Sequence, residues 1–265
     1  MHKNKSFPIG VFDSGVGGIT VLRAIRSLLP QQDLIYFGDA ANMPYGQKSL
    51  EEIRLLSEKV TAFLIQKNCK IIVIACNTAS AAALKYLREI HPEIIFVGME
   101  PAVKPAAEHT QTGVVGVIAT IATFQGELFA SVVERFAQDV TILHQPCPGL
   151  VLQIENGKAN DPETEKMLRE WLNPMIEKNI DTLVLGCTHY PFVITLLKKI
   201  LGEKVRIIDP APAVARRVKS ILEEMEIENK EAALGMTTYF TSGDSTQFKK
   251  ILFSLTGEEA EIKHV

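Results

Sequence analysis

Cys76 and Cys187 are the residues of this chain best placed to do chemistry. Each closes a short apolar run and opens a threonine-containing turn, in KIIVIACNTASAAAL for the first and DTLVLGCTHYPFVITLL for the second. Read as strand, thiol turn and helix, the same unit is used twice. In sheets covered by helices, ligand space lies beyond the carboxyl ends of the strands, so two such thiols place a sulfur on each side of a site. The following residues are polar: Asn77 and Thr78 after one thiol, Thr188 and His189 after the other. Two thiols can form a redox disulfide, one can act as a nucleophile, or both can move protons on opposite faces of one carbon. The chain has no CxxC and no flavin or nicotinamide motif. Symmetric placement favours the third chemistry, in which a proton leaves one face, returns on the other and inverts a stereocentre.

Two further strand ends carry candidate ligand groups. The first apolar run ends in Asp13, Ser14 and Gly15, then Gly17 and Gly18. Their backbone N–H groups can cradle an anion ahead of a helix. DSGVGGIT lacks the third glycine of a dinucleotide loop, with Thr20 in its place, so a carboxylate or phosphate is the better fit. Glycines that only make a tight turn are the plainer alternative. After the second run, GDAANMPYGQKS offers Tyr45 and Gly46, as hydroxyl and backbone donors or simply as a turn. Asp39 and Ser49 fit helix caps.

The other cysteines, Cys69 and Cys147, read as small apolar residues. Scattered histidines give no zinc spacing, and the expectation is no metal, no disulfide framework and reduced cytoplasmic thiols. A net charge of -3 leaves no basic footprint for nucleic acid. No apolar run approaches the ~20 residues that span a bilayer. The start, MHKNKSFPIGVFDSG, reads as free of a signal peptide.

The elements that must position these residues alternate along the chain. Apolar runs without period-2 alternation stand at 7–12, 33–38, 70–75 and 94–98, then at 114–119, 140–143, 181–186 and 205–209. Helical spacing falls between them, as with Leu22, Ile25 and Leu29 before Pro30, or Ile53, Leu56, Val60, Phe63 and Leu64 after a Ser49–Glu52 capping box. Such alternation predicts parallel sheets covered on both faces. Pro162 suits a helix start, whereas Pro174 should kink or divide its helix. MEPAVKPA and DPAPAVA read as crossings between two lobes, and the C-terminal TTYFTSGD and QFKKILFSL return to the first. The expectation is α/β: two doubly wound parallel-sheet lobes in a pseudo-twofold relation, residues 1–99 plus 211–265 and residues 100–210, with the site in the cleft between them.

VFDSGVGG, YFGD with PYG, ACNTASA and GCTHYP together resemble the aspartate/glutamate racemase superfamily, most closely its bacterial glutamate racemases. GMEPAVKPA and the IDP at 207–210 extend the resemblance over nearly the whole chain. It implies a cofactor-independent glutamate racemase that interconverts L- and D-glutamate and supplies the D-isomer for peptidoglycan. It also implies a homodimer. Cys76 and Cys187 would be the two bases, one thiolate and one thiol, with Asp13 assisting Cys76 and His189 assisting Cys187. Ser14, Asn77, Thr78, Thr188 and the backbone near Tyr45 and Gly46 would hold the substrate carboxylates and ammonium, and Thr120 with Thr123 would line the side-chain pocket. PCPGLVLQIENG, read as a loop, departs from the family's acidic stretch and leaves Glu155 without a role.

A free thiol of pKa about 8.5 is roughly 3% thiolate at pH 7, so forming the base costs about 2 kcal/mol. An amino-acid α-proton is far less acidic, so most of the barrier must fall through desolvation and donors oriented on the carboxylate. An aspartate or hydantoin racemase differs in pocket length and charge; a non-catalytic amino-acid sensor needs neither thiol.

Overall fold

The computed structural model describes residues 7–227 and 233–265; the first six residues, part of the stretch read as leaderless, lie outside it. The first half runs β1 (Ile9–Asp13), α1 (Ile19–Leu28), β2 (Leu34–Gly38), α2 (Leu50–Gln66), β3 (Ile71–Ile74), α3 (Asn77–Ile90) and β4 (Ile95–Gly98). The chain continues through α4 (Val103–His109), β5 (Val114–Ala119), α5 (Ile121–Gln125), α6 (Glu127–Phe136), β6 (Thr141–Pro146), α7 (Leu150–Glu155) and α8 (Pro162–Glu177). It ends with β7 (Thr182–Gly186), α9 (Ile194–Leu201), β8 (Arg206–Ile208), α10 (Ala211–Glu224), β9 (Thr237–Thr241), α11 (Ser245–Thr256) and β10 (Ile262–His264).

Two all-parallel sheets result, ordered β10-β9-β2-β1-β3-β4 and β6-β5-β7-β8 among the described residues. The order β2-β1-β3-β4 in one matches β6-β5-β7-β8 in the other, so β3 and β7 hold the same topological place. Cys76 and Cys187 follow those two strands. The repeated unit is therefore structural as well as a pattern of letters.

Local chemistry explains the elements. Every residue of β3, Ile-Ile-Val-Ile, is buried, as a strand covered on both faces requires. Burying each such side chain is worth about 1.5–3 kcal/mol. Ser49 Oγ accepts from Glu52 N at 3.2 Å while Glu52 Oε2 accepts from Ser49 N at 2.9 Å, closing the capping box that starts α2. Ala211, Val214, Val218 and Leu222 of α10 pack with Ile19, Leu22 and Ile25 of α1 in one core cluster. A separate core forms beneath the second sheet around Leu168, Leu172, Leu183, Leu185 and Tyr190.

The structure corrects two local expectations and adds one element. Pro174 does not divide α8, which is continuous over Pro162–Glu177. The carbonyl its missing N–H would have engaged belongs to Glu170, and both residues are exposed, so the missing bond falls on the solvent side of the helix. The stretch 146–157 is no open loop: Leu150 and Ile154, one turn apart and both buried, make α7. Gly149 and Gly157, at φ 83° and 75°, bracket it with conformations that favour glycine. A short β10, not anticipated, pairs parallel to β9. Among the described residues no helix is long and apolar enough to cross a membrane.

Candidate active site

The carboxyl ends of β1 and β3 meet those of β5 and β7, and the polar residues picked out from sequence converge there. Asp13 closes β1 with a fully buried carboxylate. Its Oδ1 accepts from Ser14 N at 2.7 Å and its Oδ2 from Gly18 N at 2.6 Å, which folds the glycine turn around it. Two glycines of that turn are required by space. A Cβ on Gly18 would stand 2.7 Å from the Asp13 Cβ, and one on Gly17 would stand 2.4 Å from His189 Nδ1. The turn from the first sheet thus lies directly on the Cys187-Thr188-His189 segment of the second.

Cys76, buried, caps α3 by accepting from Ala79 N at 3.4 Å, and its Sγ reaches Ser14 Oγ at 4.0 Å. The thiol also interacts with the Asp13 carboxylate, and Cys187 lies near enough for its charge to act on Cys76. Burial pushes the Cys76 thiol well above its ordinary range, and the Asp13 charge pushes it further. Burial also raises Asp13, against the opposing pull of His189 and of the hydrogen bonds from Cys76, Gly18 and Ser14.

On the other side, Cys187 Sγ lies 3.8 Å from His189 Nδ1. His189 Nε2 lies 2.7 Å from Glu155 Oε1, and both side chains are buried. Burial alone would lower the imidazole, but its hydrogen bonds to Cys187 and Glu155 and the Glu155 charge hold it well above its usual value. The Asp13 side thus favours a thiol, and the His189 side places a proton-bearing ring beside the second sulfur.

The substrate-holding candidates fill the gap. Thr78 Oγ1 and Thr120 Oγ1 are 2.9 Å apart, as are Thr120 and Thr123; Thr78 to Thr123 is 3.3 Å. Three hydroxyls therefore form a closed ring across the two sheets. Thr188 Oγ1 donates to Asp13 Oδ2 at 3.4 Å, a second bridge. Asn77 is buried, and among the described residues neither its amide oxygen nor its amide nitrogen is paired. A buried unsatisfied amide is costly and calls for a partner from outside the chain. The Tyr45 OH donates to Asp39 Oδ2 at 2.5 Å. That bond anchors the loop and brings Gly46 against Thr120, where an added Cβ would be 2.9 Å from the threonine Cβ.

Glu155 is the site residue that sequence reading left without a place. The signal was present in the apolar pair Leu150 and Ile154 ahead of Asn156-Gly157, a helix with a glycine stop. Cavity volume does not mark the chemistry. A cavity of about 650 Å³ lined by Arg88, Pro101, Lys104, Arg135, Pro210 and Arg217 touches neither thiol. A small one of about 50 Å³, lined by Pro44, Gly46, Thr120, Cys147 and Leu152, adjoins the threonine ring. Among the described residues no group of three or more His, Cys, Asp or Glu is arranged to hold a metal ion.

This geometry agrees with what the chain resembles. The family model for Asp/Glu/Hydantoin racemase matches residues 18–218. The chain belongs to that racemase family. A glutamate racemase of Stutzerimonas stutzeri is 46% identical over 258 residues, covering 97% of this chain and 96% of its own. The crystal structure of a glutamate racemase isoform from Bacillus anthracis superposes with a TM-score of 0.91 at 34% identity, covering 98% of both chains. A glutamate racemase from Francisella tularensis, solved in complex with D-glutamate, gives 0.87 at 33% identity, covering 98% of this chain and 97% of that one. The racemase fold thus extends over both sheets, and the chain is an isomerase of this class.

Proposed function

We propose that this racemase interconverts L- and D-glutamate by a two-thiol proton transfer that uses no cofactor. The observation that carries the reading is the pair of buried thiols at equivalent strand ends, each beside its own titratable partner, Asp13 for Cys76 and His189 for Cys187. A substrate Cα held between them has one sulfur on each face. One thiolate removes the α-proton, and the opposite thiol delivers its own to the other face. The first sulfur ends protonated and the second ends as thiolate, so the enzyme is poised for the reverse direction.

Negative charge grows on the α-carboxylate as the proton leaves. Donors aimed there lower the barrier because they are fixed before the reaction and shielded from water. The glycine turn with Ser14, the Asn77 amide, Thr78, Thr188 and the backbone at Gly46 are the groups in reach, and the ring of Thr78, Thr120 and Thr123 suits a side-chain carboxylate. High identity over the full chain to proteins named glutamate racemase supports glutamate over aspartate or hydantoin. The family resemblance extends the proposal to a cytoplasmic homodimer that supplies D-glutamate for peptidoglycan, and sedimentation checks the dimer.

The test is D-glutamate formation from L-glutamate by chelated protein without added pyridoxal phosphate, in heavy water. Product should carry solvent deuterium at Cα. A requirement for added cofactor, or turnover of aspartate in preference to glutamate, would defeat the reading.

A further inference from the structure

We propose that Tyr36 is a positioning residue for the Cys187 side of the reaction, acting through the Gly15–Val16 peptide and Glu155. Tyr36 lies on β2, in the YFGD stretch that shares in the family resemblance, but it is not among the residues assigned to the thiols or to substrate. Its ring is fully buried and packs against Tyr239 and Phe248, with centroids 6.1 and 6.4 Å away. Its hydroxyl donates to the Gly15 carbonyl at 2.7 Å.

That carbonyl belongs to the peptide unit whose N–H is Val16 N, and Val16 N donates to Glu155 Oε1 at 3.0 Å. The same carboxylate oxygen lies 2.7 Å from His189 Nε2, and His189 Nδ1 lies 3.8 Å from the Cys187 sulfur. One peptide plane is therefore gripped at both ends. A phenol from the first sheet holds its oxygen, and a carboxylate on α7 holds its nitrogen. Space around it is tight: a Cβ on Gly15 would be 2.3 Å from Glu155 Oε1, and one on Gly38 would be 2.9 Å from the Gly15 oxygen.

The physical consequence is directional. A carboxylate oxygen shared between an amide N–H and an imidazole N–H takes its position from both donors. If the phenol is removed, the Gly15 carbonyl loses its partner, the peptide plane is free to rotate, and the Val16 N–H no longer aims at Glu155. Glu155 then orients the imidazole less well, and the proton at Nδ1 is presented less well to Cys187. The Cys76 side keeps its contacts, because Asp13 is held by Ser14 N and Gly18 N, on other peptide planes.

This inference rests on the two-thiol reading, and the experiment separates the two. Tyr36→Phe keeps the ring packing and deletes only the hydroxyl. In ¹⁵N-histidine spectra of substrate-free protein, the His189 ring signals should move relative to wild type, a readout that needs no activity. With glutamate, kcat/KM should fall about tenfold in both directions, the rate equivalent of one buried hydrogen bond. The primary isotope effect with α-deuterated substrate should rise for the enantiomer deprotonated by Cys187 and fall for the other. Unmoved His189 signals, or a rate loss with isotope effects unchanged in both directions, overturns the inference. A variant that loses its fold also overturns it, because the hydroxyl would then be structural. A wild-type protein that does not racemise glutamate defeats the proposed function and leaves the His189 readout to decide on Tyr36.

Discussion

Glu155 holds His189 by a 2.7 Å contact to Nε2, so that the opposite ring nitrogen faces the Cys187 sulfur. The two residues come from α7 and from the turn after β7, and the carboxylate also raises the proton affinity of the ring. Glu155→Gln keeps the shape and removes the charge. We expect kcat/KM to fall about tenfold and the imidazole to titrate at lower pH, seen as a shift of the pH–rate profile. An unchanged profile would show that Glu155 only fills space.

Each thiol should be indispensable to racemisation and dispensable to half of it. Cys76→Ser and Cys187→Ser should each lower racemisation by at least about 100-fold, the usual scale of a lost proton-transfer group. Each variant should still eliminate a good β-leaving group, from one enantiomer only. Equal elimination from both enantiomers by either variant would rule out one thiol per face.

Asn77 separates binding from stability. Its buried amide has no partner among the described residues, so Asn77→Ala removes an unsatisfied group rather than a bond. Urea midpoints should stay level or rise by the equivalent of about 1 kcal/mol, while KM for glutamate should rise about tenfold or more. A clear loss of stability with KM unchanged would make Asn77 a scaffold residue.

Gly17→Ala should disable the site through sterics. The added methyl would stand 2.4 Å from His189 Nδ1 and 2.7 Å from Thr188 Oγ1. Both belong to the segment that carries Cys187, so racemisation should drop sharply while far-UV circular dichroism is retained. Wild-type activity would mean that the turn and the His189 segment separate during turnover.

Stability should fall as pH rises. His189 is held above its ordinary value in the folded protein. Its contribution is complete below about pH 6.5 and is lost as pH climbs through the raised folded value. Cys76 is also raised, so near and above the ordinary thiol range the native state binds more protons than the unfolded state and the slope has the same sign; the raised Asp13 acts in the same sense from about pH 4 upward. Urea midpoints should decline from about pH 6 to pH 9, less steeply in His189→Gln. A midpoint that rises over that range would contradict the assignment.

The alternation of buried runs and amphipathic helices was legible because fully buried parallel strands leave a composition signature. Cys76 and Cys187 were legible because each stands where such a run stops. The Ser49 capping box was legible because both partners lie within four residues. The division expected at Pro174 did not occur, because whether a proline ends a helix depends on the exposure of the carbonyl it strands, and exposure is a tertiary property. The Tyr45–Asp39 bond was not legible, because the two stand six residues apart in irregular loop and only the folded loop brings them together.

The sequence by itself determined the two repeated units, the residue types at each strand end and hence the class of chemistry, since these follow from local periodicity and side-chain identity. Only the tertiary structure decided which groups act together. Glu155 is 34 residues from His189 and 139 from Val16, yet one of its oxygens meets both. Thr78 and Thr120 close a hydroxyl ring from different sheets. Such contacts depend on how the carboxyl ends of the two sheets are brought against each other, and no local spacing records that.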